Sequence, residues 1–390
     1  MQNWLNWFKR GQSVSISKLP SFEDISELRG KKVLLRAGLN VPVKDGKVAE
    51  FFRIEQALPT IKYLQAEGAK VIVIGHIGRA PEESLEPVYE VLRDSVGAKW
   101  GGELSSQTAL LAEGLGEGEV LLLENVRRDP REVKGDDSLS AELADLAEVY
   151  INDAFADSHR DHSSIVGIPK YLPSYFGASF IKEYTALSSA LEPTKPSLFV
   201  IGGAKFETKM PLIEKFSSRY TQVFIGGALV NDVFKARGLP VGKSLTSDID
   251  LTKSDILTKS NIILPVDVIT SSPSGRRTVK PEEVREDEMI MDVGPATIEM
   301  LSPYITSAST ILWNGPLGNF EQGFVDGTEG LAKSIARSQA NSIVGGGDTV
   351  ASINGLHLDD DFSFLSTAGG AMLTFLETGT LPAIEAVLKR

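Results

Sequence analysis

The chain contains no cysteine, and this absence removes several kinds of chemistry at once. Disulfide bonds, thiolate nucleophiles and cysteine-based zinc sites are excluded. Histidine is scarce as well, with four in 390 residues, which argues against a His-rich metal centre. No apolar run approaches the length of a membrane span. The sequence also lacks a G-x-G-x-x-G fingerprint, so a dinucleotide-binding reading has no anchor.

Positive charge is in deficit too. The formal net charge is −12, whereas broad nucleic-acid binding favours a basic surface. An anionic substrate would therefore need a local basic cluster that overrides the global field. The hydrophobic fraction of 42% and the charged fraction of 24% are those of an ordinary globular protein. A chain of this length predicts two or three domains.

The first residues, Met1–Arg10, combine the aromatic side chains of Trp4, Trp7 and Phe8 with two basic residues. The charges follow the apolar residues instead of preceding them, which is not the order of a secretory signal. We expect an N-terminal extension that docks its aromatic rings on the body of the protein, with a weak membrane-surface anchor as the alternative. A cytoplasmic monomer is expected.

Short apolar runs alternate along the chain with stretches of helical period, such as Arg53–Glu67 and Lys209–Phe216. Continuous Val, Ile and Leu runs separated by helices predict doubly wound parallel sheets in an α/β fold. About eleven such runs are too many for one sheet and favour two Rossmann-like domains. The runs are Lys32–Leu35, Lys70–Ile74, Val120–Leu123, Val149–Ile151, Leu198–Ile201, Val223–Ile225, Asn261–Leu264, Met289–Met291, Thr310–Leu312, Ser342–Val344 and Phe362–Leu365.

A domain boundary is predicted near Tyr171–Pro196, where prolines bracket a helix at Ser179–Leu191. A helix between two sheets is a sensible connector. The stretch Ser271–Arg277 is interpreted as a surface loop.

Long basic side chains follow the predicted strands of the N-terminal half. Ligands of open α/β sheets bind beyond the carboxyl ends of the strands, and guanidinium groups suit bidentate binding of phosphate and carboxylate oxygens. Each arginine taken alone is more often a surface ion-pair partner, but their convergence predicts a site for a small polyanion. The residues are Arg36, Arg53, His76, Arg79, Arg127, Arg128, His159, Arg160 and His162.

Glycines occupy the same positions in the C-terminal half, at Gly202-Gly203, Gly226-Gly227, Gly345–Gly347 and Gly369-Gly370. Glycine lets the backbone approach a ligand, and a helix that starts there directs free N–H groups at phosphate. Tight packing is the alternative for any one pair. Lys205 and Lys209 would share one helix face. This half is predicted to bind a nucleotide.

Asp348 follows the third glycine group and suits Mg²⁺, which takes few protein ligands. The alternative is that its carboxylate simply caps the following helix. The segment Gly238–Ser244 looks like a P-loop, but its glycines are one residue too close and it follows a helical stretch, so it is not interpreted as one.

The chain strongly resembles phosphoglycerate kinases from about Gly30 to its C-terminus. The matching segments occur in the family's order: Asn40-Val-Pro42, Arg53-Ile54, Ala57–Ile61, His76-Ile-Gly-Arg79, Leu121–Asn125, Asn152–Phe155, His159-Arg160 with His162-Ser163, Gly202-Gly-Ala-Lys205 with Lys209, Gly242–Leu245, Trp313-Asn-Gly-Pro316, Gly345–Thr349 and Ser366-Thr367 with Gly369-Gly370.

The resemblance implies a phosphoglycerate-binding domain over 1–175, a helical linker and hinge over 176–195, a nucleotide-binding domain over 196–370 and a tail over 371–390 that returns to the first domain. It implies 3-phosphoglycerate or 1,3-bisphosphoglycerate and ATP or ADP as substrates, with Mg²⁺ as cofactor. The acceptor would be held by Asn40, Arg53, His76, Ile77, Gly78, Arg79, Arg127 and Arg160. The nucleotide would be held by Gly203, Lys205, Lys209, Gly294, Asn314, Pro316, Glu321, Gly346, Gly347, Asp348 and Thr349, with Glu321 on the ribose and Asp348 on the metal.

The attacking oxygen would already be a carboxylate, so catalysis needs positioning and charge cancellation more than a general base. Arg53 and Lys209 are assigned to that charge, assisted by the N–H groups at Gly369 and Gly370. Because the two substrates would sit on different domains, a hinge closure is expected.

Three positions depart from the family pattern. Gly38 stands where the family has an aspartate that helps hold the acceptor, Arg128 replaces an aromatic residue, and Ala368 interrupts a glycine run. We expect Gly38→Asp to tighten acceptor binding unless Gly38 has a positive φ, where any side chain would strain the loop, or Asp157 or Asp161 already supplies the carboxylate. A catalytically impaired descendant that only binds phosphoglycerate or nucleotide is the alternative function, followed by another α/β kinase.

Overall fold

The computed structural model describes residues 18–247, 249–251 and 254–389. The predicted docking of the N-terminal aromatic residues lies outside these ranges. The described residues form two compact units. The first ends at Thr185 and takes in the chain from Thr380, and the second runs from Ala186 to Gly379.

The first unit is built on a six-stranded sheet whose strands are all parallel. Its strand order is β5-β6-β4-β1-β7-β8. The strands are β1 (Lys32–Ala37), β4 (Lys70–Ile74), β5 (Lys99–Gly102), β6 (Val120–Leu123), β7 (Val149–Asp153) and β8 (Ser174–Phe176), and a small antiparallel pair is formed by β2 (Val43–Lys44) and β3 (Lys47–Val48). The helices are α1 (Phe52–Ala66), α2 (Glu86–Val96), α3 (Ser106–Glu113) and α4 (Asp137–Ala144).

Both faces of this sheet are buried. Val33 and Leu35 of β1 pack in one apolar cluster with Ile61 of α1, while Leu34 between them packs in the opposite cluster with Leu139 of α4. Alternate residues of a strand point to opposite faces, so a strand covered on both sides must be apolar throughout. This explains the unbroken Val, Ile and Leu runs.

The second unit repeats the plan with a six-stranded parallel sheet in the order β11-β10-β9-β15-β16-β17. The strands are β9 (Ser197–Ile201), β10 (Gln222–Ile225), β11 (Ile262–Ile263), β15 (Thr310–Asn314), β16 (Asn341–Gly345) and β17 (Phe364–Ser366). The helices, counted on from α5 (Ala178–Leu191), are α6 (Phe206–Ser217), α7 (Leu229–Ala236), α8 (Pro295–Ser307), α9 (Asp326–Ala336), α10 (Gly347–Gly355) and α11 (Gly370–Thr378), and α12 (Pro382–Leu388) follows in the first unit.

The region between β11 and α8 differs from the sequence-based expectation. It contains a three-stranded antiparallel sheet of β12 (Val268–Ser272), β13 (Gly275–Val279) and β14 (Met289–Val293). The predicted loop at Ser271–Arg277 is therefore mostly a hairpin, and the run at Met289–Met291 belongs to this sheet and not to a parallel one. A strand rich in polar residues, such as Gly275–Val279, has no continuous apolar run by which the sequence could identify it.

The helix predicted between the domains is present as α5, and the division between the two units falls within it. The tail, in contrast, changes unit after Gly379 and not at residue 371. Helix α11 stays with the second unit, where Lys215 of α6 donates hydrogen bonds of 2.7 Å to the carbonyl oxygens of Leu376 and Glu377. These hydrogen bonds give partners to carbonyl groups at the C-terminal end of α11.

Among the described helices, none is by itself long and apolar enough to cross a membrane. Only α11 and α12 taken together, across the break between them, reach the length and hydropathy required.

Candidate active site

Each parallel sheet has one point where the strand order reverses. In the first sheet, β4, β5 and β6 lie on one side of β1, and β7 and β8 lie on the other. In the second sheet, β10 and β11 lie on one side of β9, and β15, β16 and β17 lie on the other. Ligands of such sheets bind beyond the carboxyl ends of the strands at this switch point. The residues that follow β1, β7, β9 and β15 are therefore the candidates for ligand binding.

In the first unit, Asn40 ties three of the predicted substrate-binding segments together. Its side-chain oxygen accepts a 2.9 Å hydrogen bond from the N–H of Gly78, and its carbonyl oxygen accepts one of 3.1 Å from Nη1 of Arg53. Arg127 in turn donates to the carbonyl oxygen of Gly78. The loop after β1, the loop after β4 and the start of α1 thus meet at one place.

The loop after β4 is fixed by a residue that we had not assigned to the site. Asn125 donates hydrogen bonds of 2.9 Å and 2.8 Å to the carbonyl oxygens of Ile77 and Glu83, and its side-chain oxygen accepts from the N–H of Ile77. Ile77 is buried, whereas Arg79 is exposed and its N–H donates to Glu83. Asn125 therefore holds the backbone of the loop, and the Arg79 side chain lies at its surface.

A buried ionic cluster lies behind this loop. The guanidinium of Arg36 is fully buried and its Nη2 atom donates to Asp157 at 3.2 Å and contacts Nδ1 of His76 at 3.0 Å. The other oxygen of Asp157 accepts a 2.9 Å hydrogen bond from Arg160. Nε of Arg36 donates to Oγ of Ser164 at 3.0 Å. The structure thus brings His76 and Arg160 together around a carboxylate.

Burial and neighbouring charges set the ionisation of this cluster. Burial by itself would raise the pKa of Asp157, but the guanidinium of Arg36, the hydrogen bond with His76 and the guanidinium of Arg160 outweigh it and hold that pKa well below its usual range. Burial lowers the pKa of His76 and of His162 to about 4. At neutral pH both rings are uncharged, so the positive charge of the site comes from its arginines.

Three buried polar atoms of this region have no hydrogen-bond partner among the described residues: Nε2 of His76, Nε of Arg127 and Nδ1 of His159. Buried polar atoms are usually paired, and an orphan needs an explanation. A bound anion with hydroxyl groups would supply such partners.

In the second unit, Lys209 lies at the switch point between β9 and β15. Its ammonium donates to the carbonyl oxygen of Gly202 at 2.6 Å and to the side-chain oxygen of Asn314 at 3.0 Å. Burial lowers the pKa of Lys209 to about 8, so the group remains mostly charged at pH 7. Helix α6 begins immediately after Lys205, which is exposed at its N-cap position.

The glycines of this unit divide into two groups. A Cβ atom at Gly202 would lie 2.2 Å from the carbonyl oxygen of Pro316, and one at Gly345 would lie 2.0 Å from Sδ of Met372, so both are required for packing. Around Gly347 and Gly369, in contrast, no atom lies within 4 Å of the added Cβ position. The packing alternative therefore holds for Gly202 and Gly345, and open space leaves the ligand interpretation in place for Gly347 and Gly369.

We expect Gly202→Ala to lower the free energy of unfolding by about 1–3 kcal/mol, because the new methyl group would press on the Pro316 carbonyl. Urea unfolding measures this change. Gly355→Ala is the matched control, since Gly355 has no atom within 4 Å of its Cβ position and an ordinary φ. Equal stabilities of the two variants would contradict the packing role.

The start of helix α10 distinguishes the two interpretations of Asp348, metal binding and helix capping. The N-cap is Gly346, with a φ of +112°, and no side chain caps the helix. Asp348 is exposed in the first turn, so it is not the capping residue. Oγ1 of Thr349 is buried and has no partner among the described residues. The helix start thus offers free N–H groups, an exposed carboxylate and an unpaired hydroxyl.

The described contacts do not bring every predicted nucleotide-binding residue to Lys209. Gly294 is the N-cap of α8, where the carboxylate of Asp267 already accepts from the N–H groups of Ala296 and Thr297 at 3.0 Å and 2.7 Å. Glu321 is exposed in a short 3₁₀ turn. Gly369 and Gly370 lie at the start of α11, and Pro316 accepts from the N–H of Gly203 at 2.9 Å.

An arginine cluster at one switch point and a lysine among glycines at another are features of two-domain α/β phosphotransferases, which hold an anionic acceptor and a nucleotide by charge and backbone N–H groups. The sequence profile of the phosphoglycerate kinase family matches residues 22–379. The chain therefore belongs to the phosphoglycerate kinase family.

Individual relatives agree. The chain is 40% identical to the phosphoglycerate kinase of Rubrobacter xylanophilus, over 93% of this chain and 97% of that protein. It is likewise 40% identical to that of Francisella tularensis subsp. novicida, over 92% and 96%. The structure of phosphoglycerate kinase from Coxiella burnetii matches with a TM-score of 0.86 at 36% identity, over 96% of this chain and 99% of that one. The predictions of the family, the doubly wound α/β fold and phosphoglycerate kinase activity are thus confirmed.

Proposed function

We propose that this chain transfers a phosphoryl group reversibly between ATP and the carboxylate of 3-phosphoglycerate, with the acceptor bound by the first unit and the nucleotide by the second. The observation that carries this assignment is the pair of switch-point sites. One has an arginine cluster and orphaned buried polar atoms, and the other has a part-buried lysine and an open helix start.

The acceptor site would bind its ligand through charge and directed donors. Arg53, Arg127 and Arg160 supply guanidinium groups, which suit phosphate and carboxylate oxygens. The unpaired Nε2 of His76 and the exposed Arg79 add to this set. Asn40, Ile77 and Gly78 would serve by fixing the loops that carry these side chains.

The nucleotide site would bind phosphates through backbone N–H groups and lysines. The start of α10, from Gly346 to Thr349, presents free donors and the positive end of the helix dipole. Lys205 and Lys209 supply positive charge, and Glu321 is proposed to accept from the ribose hydroxyls.

The residues present fit a magnesium ion that comes with the nucleotide. In the described parts of the chain, no group of three or more Asp, Glu or His side chains could hold a metal ion. Mg²⁺ typically keeps several waters and takes one or two carboxylates besides substrate phosphates, and the exposed Asp348 could serve as that carboxylate. The ion would supply charge neutralisation of the phosphates.

Asp348→Asn should therefore weaken MgADP binding by about tenfold, the effect of one lost charge-assisted contact, and change metal-free ADP binding much less. Titration calorimetry with and without Mg²⁺ measures both. Asp326→Asn, at the start of the neighbouring α9, is the matched control for loss of a first-turn charge. Equal losses in both conditions would assign Asp348 to the helix dipole alone.

The chemistry of this reaction needs no general base, because the attacking carboxylate is already ionised. Catalysis reduces to in-line positioning and to stabilising the charge on the transferring group. Arg53, Lys209 and the N–H groups at Gly369 and Gly370 are proposed for that second task. Because the substrates bind to different units, we also propose that a hinge motion precedes transfer.

A coupled assay of ATP-dependent 3-phosphoglycerate phosphorylation tests the proposal. Turnover of about 10–10³ s⁻¹ would be ordinary for such an enzyme, whereas binding without turnover would identify an impaired descendant. That alternative is not favoured, because the first unit has groups suited to phosphoglycerate and the second unit has groups suited to the nucleotide. The monomeric state and the cytoplasmic location remain predictions, and light scattering would measure the first.

A further inference from the structure

Asp157 is a buried carboxylate at the centre of the proposed acceptor site. The residue is 4% exposed and follows β7 in a short 3₁₀ turn at Phe155–Asp157. One of its oxygens receives Arg36 at 3.2 Å and lies 3.2 Å from Nδ1 of His76, and the other receives Arg160 at 2.9 Å. A single carboxylate therefore contacts one side chain near the end of β1, Arg36, and two that follow β4 and β7, His76 and Arg160.

The two partners His76 and Arg160 keep polar atoms beyond those that contact Asp157. Arg160 gives one nitrogen to Asp157, yet its side chain is 34% exposed. His76 has its Nδ1 atom in the cluster and its Nε2 atom unpaired. The cluster thus presents oriented polar groups toward a ligand while their other ends are anchored.

Another buried carboxylate of this region, that of Glu132, has different partners. Glu132 accepts from Oγ of Ser164 at 2.6 Å and from its N–H at 2.9 Å, and lies 3.8 Å from Nδ1 of His162. It contacts neither Arg160 nor His76. Asp157 is therefore the carboxylate that can set the orientation of these two groups.

Position 38 lies at the neighbouring strand end and carries no side chain. The register of β1 and β7 pairs Ala37 with Asp153, so Gly38 lies beside Ala154. A Cβ atom at Gly38 would meet Cα of Ala154 at 3.9 Å, an ordinary contact, and the φ of Gly38 is not in the left-handed region. Backbone strain is thus no reason for the glycine, and a carboxylate there would be superfluous if Asp157 does its work.

We propose that Asp157 is a positioning and specificity-determining residue of the acceptor site: it anchors Arg160 and His76 so that the site selects phosphoglycerate over a simple inorganic anion. This inference rests on the proposed function. It reverses the expectation drawn from sequence alone for Gly38→Asp, because the carboxylate that position 38 lacks is already supplied by Asp157, in the turn that follows the neighbouring strand β7.

The test is calorimetric titration of the full-length protein with 3-phosphoglycerate and, separately, with sulfate. Asp157→Asn keeps the size of the side chain but turns one acceptor oxygen into a donor that faces a guanidinium. We expect 3-phosphoglycerate binding to weaken about tenfold to a hundredfold, as oriented charge-assisted contacts are lost. Sulfate binding should tighten about threefold or more, since one negative charge leaves an arginine cluster.

Weaker binding of 3-phosphoglycerate together with tighter binding of sulfate is the result expected if Asp157 positions Arg160 and His76. If both anions bind more weakly, Asp157 has only a structural role, and if both bind more tightly, it is only a counter-charge. Either result overturns the inference. Asp161→Asn is the matched control, as Asp161 is exposed in the same segment and carries the same charge. Its behaviour should be that of the wild type, and a comparable selectivity loss would assign the role to Asp161 instead.

Gly38→Asp tests the inference without removing Asp157, should Asp157→Asn fail to fold. We expect unchanged or weaker 3-phosphoglycerate binding, because a second carboxylate competes for the same arginines. Tighter binding would overturn the inference. A wild-type protein that does not bind 3-phosphoglycerate at all would contradict the proposed function itself, whereas wild-type binding with no effect of Asp157→Asn would contradict this inference alone.

Discussion

Lys209→Ala should lower kcat by about 10²–10³-fold, the usual effect of losing one preorganised electrostatic contact to a transition state. The part-buried ammonium is held at 2.6 Å and 3.0 Å by Gly202 and Asn314, so its position is fixed before the substrate arrives. The binding of 3-phosphoglycerate should persist, because the site proposed for it lies in the other unit. Steady-state kinetics and calorimetry of the purified variant measure the two effects.

Two further lysine variants make this prediction specific. Lys205 is exposed at the N-cap of α6, so Lys205→Ala should raise the KM for the nucleotide with little change in kcat, as expected for a contact made equally before and during transfer. Lys333→Ala removes an exposed lysine that pairs with Glu329 on α9 and should leave both constants unchanged. Near-wild-type kcat in Lys209→Ala would show that this ammonium does not act on the transferring group.

The sequence predicted the central strands well because they are buried on both faces. A strand such as β4, Lys-Val-Ile-Val-Ile, can be recognised without its neighbours. The two strands missed in the first sheet, β5 (Lys-Trp-Gly-Gly) and β8 (Ser-Tyr-Phe), lie at its edges. An edge strand is paired and covered on fewer sides, so it needs no apolar run, and only its partners define it.

The acceptor site was predictable to the extent that it follows strand ends. Basic residues after β1, β4, β6 and β7 could be collected from the sequence, since parallel strands direct their carboxyl ends to one edge. The counter-charge could not be chosen in this way. Arg36 and Asp157 are 121 residues apart, and Asp161 was an equal candidate until the structure placed it at the surface. Which carboxylate meets a buried arginine depends on a three-dimensional path that spacing does not encode.

Arg53→Ala is expected to lower kcat by about 10²–10³-fold, for the same electrostatic reason as Lys209→Ala. Arg53 is the second residue of α1, and its Nη1 atom donates to the carbonyl oxygen of Asn40 at 3.1 Å. This contact ties the guanidinium to the loop that also orients Gly78. Each hydrogen bond of a partly exposed side chain contributes about 1 kcal/mol to the fold, and thermal unfolding separates a folding defect from a catalytic one.

Controls for Arg53 come from the same unit. Arg93→Ala removes an exposed arginine that pairs with Glu90 and Asp94 on α2, and activity should be unchanged. Arg79→Ala should raise the KM for 3-phosphoglycerate more than it lowers kcat, because its exposed side chain can contribute to binding without touching the transferred group. If Arg53→Ala changed only KM, Arg53 would contribute to substrate binding, as expected for Arg79, and not to the transfer step. If Arg53 and Lys209 stabilise the same developing charge, the double alanine variant should lose less than the product of the two single losses, since groups that act as a unit are not additive.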